Sequence, residues 1–219
     1  ERVAVAFRCF DGVCVRSRGI SGAHDTVDAR ASRGESPAVD ELLARHLPSL
    51  HAFVRLRIGG LVGDRESSSD IAQSVCREVL QGIGGFDYRG EAAFRAWLFE
   101  NALGKIRDRA RYYRAQKRDV AREVHRGSQD EVAALGSIYR TMITPSRVAL
   151  GREALQQFEA AFAELPEEQR EVVLLARVVG LGRREIAERL GRSEDSVRGL
   201  LQRGVTRLSW ALSRYHGDR

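Results

Sequence analysis

From Val39 to Leu208 the apolar residues recur three and four positions apart, in blocks separated by glycine and proline. That period places side chains on one face of an α-helix. Ser36-Pro37 reads as an N-cap followed by proline at the first helical position, with Val39, Leu43, Leu47 and Leu50 along one face. Pro48 is expected to kink this helix or split it. Gly59, Gly60 and Gly63 close the segment. A second helix, capped by Ser69 or Asp70 and running to about Gln81, buries Ile71, Val75 and Val79. Its polar sides carry Asp70, Gln73, Ser74 and Arg77. Beyond Gly82, Gly84 and Gly85, a polar turn from Tyr88 to Glu91 leads into a long helix. Phe94, Trp97, Leu98, Ala102 and Ile106 sit at core spacing there.

The pattern weakens from Val120 to Ser146, which reads as a linker with a short amphipathic helix around Val132 to Ile143. A helix over Arg147 to Glu164 follows, with Val148, Leu155, Phe158 and Phe162 inward. The stretch from Leu165 to Leu208 then predicts three short helices. The first opens at Pro166, carries Glu167, Glu168 and Glu171 near its positive end, and stops at Gly180 and Gly182. The second, Arg183 to Leu190, buries Ile186, Ala187 and Leu190 and ends at Gly191, which can take a positive φ. Ser193 caps the third, which buries Val197, Leu200, Leu201, Val205 and Leu208. Ala187, Gly191 and Val197 supply a small residue, a turn and a plug, as two crossing helices need. That spacing predicts a helix-turn-helix.

Polar residues left outside this pattern suit nucleic acid. The outer face of the last helix carries Ser196, Arg198, Gly199, Gln202, Arg203 and Thr206. Arginine pairs bidentately with guanine, and glutamine with adenine. Arg183 and Arg184, at the start of the preceding helix, are placed to hold phosphate. The long helix after Glu91 turns basic, with Lys105, Arg107, Arg109, Arg111, Arg114, Lys117 and Arg118, interrupted by Tyr112 and Tyr113. Cations among aromatics can track the phosphates and stack on the bases of unpaired DNA.

The 219 residues are 43% hydrophobic and 30% charged, enough for a core, and the net charge of +6 favours a polyanionic partner. No apolar run approaches membrane-spanning length, and the opening ERVAVAFRCF has no signal-peptide pattern. Three cysteines make no even disulfide framework and suit a reducing cytoplasm. Residues 1–35, rich in Gly, Ser and charge after a short apolar alternation, read as a disordered arm. Cys9, Cys14 and His24 lack a fourth ligand and a standard spacing, so no metal and no cofactor is expected.

Three motifs in order carry a resemblance: Asp70-Ile71-Ala72-Gln73; Tyr88-Arg89-Gly90-Glu91-Ala92-Ala93-Phe94-Arg95-Ala96-Trp97-Leu98; and Leu165-Pro166-Glu167-Glu168-Gln169-Arg170 before the helix-turn-helix. From Ser36 to about Trp210 the chain resembles the sigma-70 family of bacterial transcription initiation factors, in its small extracytoplasmic-function (ECF) group. The resemblance implies partners, core RNA polymerase and promoter DNA, and leaves open an anti-sigma factor as a third. It implies that Asp70 and Gln73 lie on a polymerase-docking helix. It places Arg89, Gly90, Glu91 and Phe94 where unpaired bases of the minus-ten element are captured, with Lys105, Arg107 and Arg111 on the basic helix behind. It puts Arg198, Gln202 and Arg203 on the helix that reads the minus-thirty-five element. Ser74 stands where the family often has Glu, and Gly199 and Leu200 stand where Arg or Ser is common.

The expectation is an all-α fold of two small helical domains joined by a linker, the second ending in the helix-turn-helix. The boundaries are an arm over 1–35, a first domain over 36–119, a linker over 120–146 and a second domain over 147–215. The expected function is that of a cytoplasmic, non-enzymatic sigma factor. A helix-turn-helix regulator that never joins polymerase is the alternative, and it leaves Asp70 to Arg118 unexplained. A nucleic-acid-processing enzyme is disfavoured, because no phosphate loop and no compact His/Asp/Glu constellation stands out.

Overall fold

Helices account for nearly all of the regular structure, and no strand occurs among the described residues. The structure is a computed structural model, and it describes residues 36–58, 60–115, 129–142 and 152–217. In chain order the helices are α1 (Ser36–Arg57), α2 (Gly60–Gly63), α3 (Ser68–Gly82), α4 (Glu91–Ala115), α5 (Gln129–Met142), α6 (Arg152–Ala163), α7 (Glu167–Leu174), α8 (Arg183–Leu190) and α9 (Glu194–Gly217). The arm over 1–35 with Cys9, Cys14 and His24, the residues Lys117 and Arg118, and Val148 all lie outside the described residues.

Helices α1, α3 and α4 pack on one another to form the first module. Ile71, Ala72, Val75 and Val79 of α3 meet Leu42, Leu50 and Val54 of α1 and Phe94, Leu98 and Ala102 of α4, all buried. Two local expectations, the cap of α3 and the inward placing of Leu47, are corrected. The cap of α3 is Ser67, whose hydroxyl accepts from the Asp70 N–H at 3.0 Å, so neither Ser69 nor Asp70 caps it. Helix α1 runs through Pro48 without dividing. Leu47, expected inward, is 38% exposed, while Leu42, Ala52, Phe53 and Val54 are buried. A straight four-residue spacing drifts around a helix of 3.6 residues per turn, which carries Leu47 off the buried stripe.

The second module is α6 to α9. Phe158 and Phe162 of α6 and Leu155 anchor it, with Val172, Val173 and Leu174 of α7 and Val197 and Leu208 of α9. Pro166 precedes α7 as its cap rather than being its first residue. Past Leu174 the helix widens into a π turn over Leu175–Val179, ended by Gly180 at φ 74°. The wider turn keeps Leu175, Val178 and Val179 all buried.

The α8–α9 turn follows the sequence closely. Gly191 adopts φ 63°, and the Arg192 N–H donates to Ala187 O at 2.9 Å, satisfying a carbonyl that the helix end leaves over. The Ser193 hydroxyl accepts from the Ser196 N–H at 3.2 Å. At the head of α8 the Glu185 carboxylate accepts from the Gly182 N–H at 2.6 Å. Helix α9 crosses α7 at Gly204, where a Cβ would sit 2.7 Å from Val173 Cγ2. Leu201 and Val205 are only half-buried, so Val197, Leu200, Leu208 and Leu212 fix the rotation of α9.

Helix α5 lies in the stretch read as linker. It packs on α1 and α6, with Leu135, Tyr139 and Met142 buried.

Candidate nucleic-acid interface

The helix-turn-helix presents its polar residues as the pattern requires. Burial of Val197, Leu200 and Leu208 turns Arg198, Gln202, Arg203 and Thr206 outward, and all are exposed. Ser196 and Gly199 are half-buried. Arg198 Nη2 pairs with Asp195 Oδ1 at 3.1 Å, one turn earlier. The Arg203 guanidinium folds back over Gly199, with Nη1 3.1 Å from where a Cβ would stand. Arg183 and Arg184 begin α8, both exposed, and Arg184 donates to Glu188 at 2.9 Å. These cations and Gln202 are therefore free of the core, on the two elements that a groove-reading module uses.

The turn ahead of α4 is built on aromatics. Phe86 stacks on Trp97 with centroids 4.4 Å apart, and its ring meets Tyr88 and Phe94 edge-on at 6.2 Å. Gly90 takes φ 101°, a conformation that a side chain would strain, and lets the chain turn into α4. Arg89 is 76% exposed at the side chain and pairs with Asp87. Phe94 is fully buried, so in this structure it supports the turn from beneath. Glu91 is turned inward: Arg45 Nη1 donates to it at 2.9 Å, and His46 Nε2 lies 3.1 Å from its other oxygen, off the hydrogen-bond direction. Arg45 and His46 went unseen in the sequence because α1 lies 45 positions before Glu91. Burial holds the His46 imidazole below its ordinary pKa, against the opposing pull of the Glu91 carboxylate.

Along α4 the basic run divides. Arg107 and Arg111, one turn apart, are exposed, and Arg111 pairs with Asp108 at 3.0 Å. Lys105 instead pairs with Glu78 of α3 and is 16% exposed. Arg109 lies 3.2 Å from Glu66, which also accepts from the Tyr113 hydroxyl at 2.5 Å. Glu66, Arg109 and Tyr113 thus tie the far end of α4 to the loop after α2. On α3, Asp70 and Gln73 are exposed three positions apart, on the face opposite Ile71, Val75 and Val79. Among the described residues no group of His, Cys, Asp and Glu could hold a metal ion, and no helix is long and apolar enough to cross a membrane.

This arrangement has a match in known proteins. The profile for Sigma-70 region 2 matches residues 42–118, and that for Sigma-70, region 4, matches residues 155–208. The ECF RNA polymerase sigma factor ShbA of Streptomyces griseus is 31% identical over 180 residues, covering 82% of this chain and 90% of the relative. The ECF RNA polymerase sigma factor SigD of Mycobacterium tuberculosis is 29% identical over 184 residues, covering 84% and 81%. The solved structure of CnrH in complex with the cytosolic domain of CnrY aligns with a TM-score of 0.52 and 25% identity, over 88% of this chain and 99% of that one. The chain belongs to the sigma-70 family of RNA polymerase sigma factors, in its ECF group. It is a factor that directs RNA polymerase to promoters. The reading as a regulator that never joins polymerase gives way, because the region 2 match covers the half it left unexplained.

Proposed function

We propose a division of labour among the exposed surfaces. Asp70 and Gln73 of α3 dock on core RNA polymerase. The turn around Arg89 and Gly90, backed by Phe86, Tyr88 and Trp97 and flanked by Arg107 and Arg111, takes unpaired bases and phosphates of the minus-ten element. Arg198, Gln202 and Arg203 read the minus-thirty-five element, while Arg183 and Arg184 hold its phosphates. The observation that carries this is the segregation along the first turns of α9: Val197, Leu200 and Leu208 pack inward, and the groups suited to base edges face out. The protein acts by binding and positioning, without chemistry of its own, in the cytoplasm where the chromosome is. CnrH is held by the cytosolic domain of another protein, and on that ground an anti-sigma factor is a further partner.

Reconstitution with core RNA polymerase tests this directly. The parent is expected to give specific transcript starts. Asp70→Arg with Gln73→Leu should weaken polymerase binding at least about tenfold, roughly 1.4 kcal/mol, with helical content unchanged. A folded double variant that binds core polymerase like the parent removes α3 from the docking surface.

A further inference from the structure

Glu91 is the first residue of α4 and follows Gly90 directly. Its place in the chain puts it among the groups that take unpaired bases, yet its side chain is only 29% exposed and both oxygens face α1. Arg45 Nη1 donates to Oε2 at 2.9 Å, and Nε2 of His46 stands 3.1 Å from Oε1. Arg45 also pairs with Glu41, one turn earlier, at 3.5 Å. A carboxylate aimed outward would meet the phosphates of a captured strand with the wrong sign. Aimed inward, it gives α1 a hold on the head of α4.

His46 extends that hold beneath the turn. Its ring is buried and lies 6.1 Å from that of Phe94, which in turn meets Phe86 at 6.2 Å and Trp97 at 6.1 Å. Neighbouring residues of α1 thus bind Glu91 through charge and back the aromatic cluster by contact. The turn itself has two fixed ends. At one, the Phe86 N–H donates to Ile83 O at 3.0 Å and the Phe86 ring stacks on Trp97. At the other, Gly90 O accepts from the Phe94 N–H at 3.1 Å and Glu91 is held by α1. Asp87 and Arg89, both exposed, are strung between these ends. A turn held in place before the strand arrives loses less freedom on binding it.

We propose that Glu91 is a positioning residue for strand capture: it touches no DNA, and through Arg45 and His46 it pins the head of α4 to α1 and so sets where Asp87 to Gly90 stand. Arg45 and His46, 46 and 45 positions before Glu91, thereby become determinants of minus-ten recognition without facing the strand. The proposal rests on the reading of this turn as the minus-ten surface. It follows from the general need of a recognition loop for a supporting shell that fixes its geometry.

The test uses the full chain bound to core RNA polymerase and a labelled single-stranded oligonucleotide carrying the minus-ten sequence of a promoter from which the parent starts. Glu91→Ala and Arg45→Ala should each weaken oligonucleotide binding about three- to tenfold, and the double variant should be no weaker than the worse single one, because both remove one contact. Arg45→Lys, which keeps the charge opposite Glu91, should restore most of the loss seen with Arg45→Ala. Glu91→Gln, which keeps the shape of the side chain, replaces Glu91→Ala if the latter does not fold. Affinity for core polymerase should stay within about twofold of the parent, since α3 carries that contact in the present reading. Losses that multiply in the double variant overturn the proposal, as does a loss for Glu91→Ala with none for Arg45→Ala, which would mark a direct DNA contact. Equal losses of polymerase and oligonucleotide binding reduce the pair to a structural role and also overturn it. A parent holoenzyme that does not hold the oligonucleotide would instead sink the reading of the turn as the minus-ten surface, and the proposal with it.

Discussion

The guanidinium of Arg95, on the first helical module, donates to the backbone carbonyl of Gly180 at 3.1 Å, 85 positions further along the chain. Gly180 has φ 74° and ends the π turn, and a Cβ there would stand 3.3 Å from the same guanidinium. Gly180→Ala therefore combines left-handed strain with crowding of Arg95. It is expected to cost about 1–2 kcal/mol, read as a lower urea midpoint. An unchanged midpoint would show that the turn relaxes without loss.

Two glycines of α9 should respond in opposite directions. Gly204→Ala places a Cβ 2.7 Å from Val173 Cγ2 and close to the Gln169 backbone, where neither helix can yield cheaply. A loss of about 1–3 kcal/mol is expected. At Gly199 the near neighbour is the movable tip of Arg203, so Gly199→Ala should gain about 0.5–1 kcal/mol from helix propensity. Thermal unfolding of the two variants side by side decides it; a shift of the same sign for both would refute the packing argument.

Base-reading and phosphate-holding groups should fail in different ways. Arg198→Ala, Gln202→Ala or Arg203→Ala should cost about 1–3 kcal/mol on the preferred element and relax choice at one position. Arg183→Ala and Arg184→Ala should weaken binding to all sequences alike. Selection from a randomised pool by each variant bound to polymerase separates the outcomes. An unchanged preferred sequence in all three α9 variants would leave this helix only a phosphate-holding role.

Neutral His46 is favoured in the folded state, chiefly by burial, so its folded pKa lies below the unfolded value of about 6.5. The unfolded chain then binds the extra proton first. The stability contributed by neutral His46 is present above about pH 6.5 and is lost as pH falls toward the folded pKa. The melting temperature should decline across that window, and His46→Gln should flatten the decline. Parallel pH profiles for parent and variant would remove His46 as the cause.

Much of the local structure was legible in the residues. Ser193, Gly191 and the apolar spacing of α9 specify a capped helix after a tight turn, because capping and periodicity act over a few residues. The outward set Arg198, Gln202 and Arg203 follows from that rotation alone. The resemblance to sigma factors rested on the same short motifs, and the region matches agree with it. The exposure of Asp70 and Gln73 also came directly from the stripe Ile71, Val75 and Val79.

Phe99 and Leu103 show where this reading stops. They are buried on a second face of α4, outside the stripe of Phe94, Leu98, Ala102 and Ile106, because the π turn of the other module covers them. Their four-residue spacing was a visible signal, but nothing local says what would lie over it. The same holds for Glu91, held by Arg45 and His46, and for Glu159, held by Arg55 and Tyr139. Sequence by itself determined the helical pattern, the α8–α9 turn with its Ser193 cap and the outward residues Arg198, Gln202 and Arg203, since those depend on backbone geometry within a turn or two. Tertiary structure alone decided which charged groups are spent on other parts of the chain, because ion pairs and seams form between residues that only packing brings together.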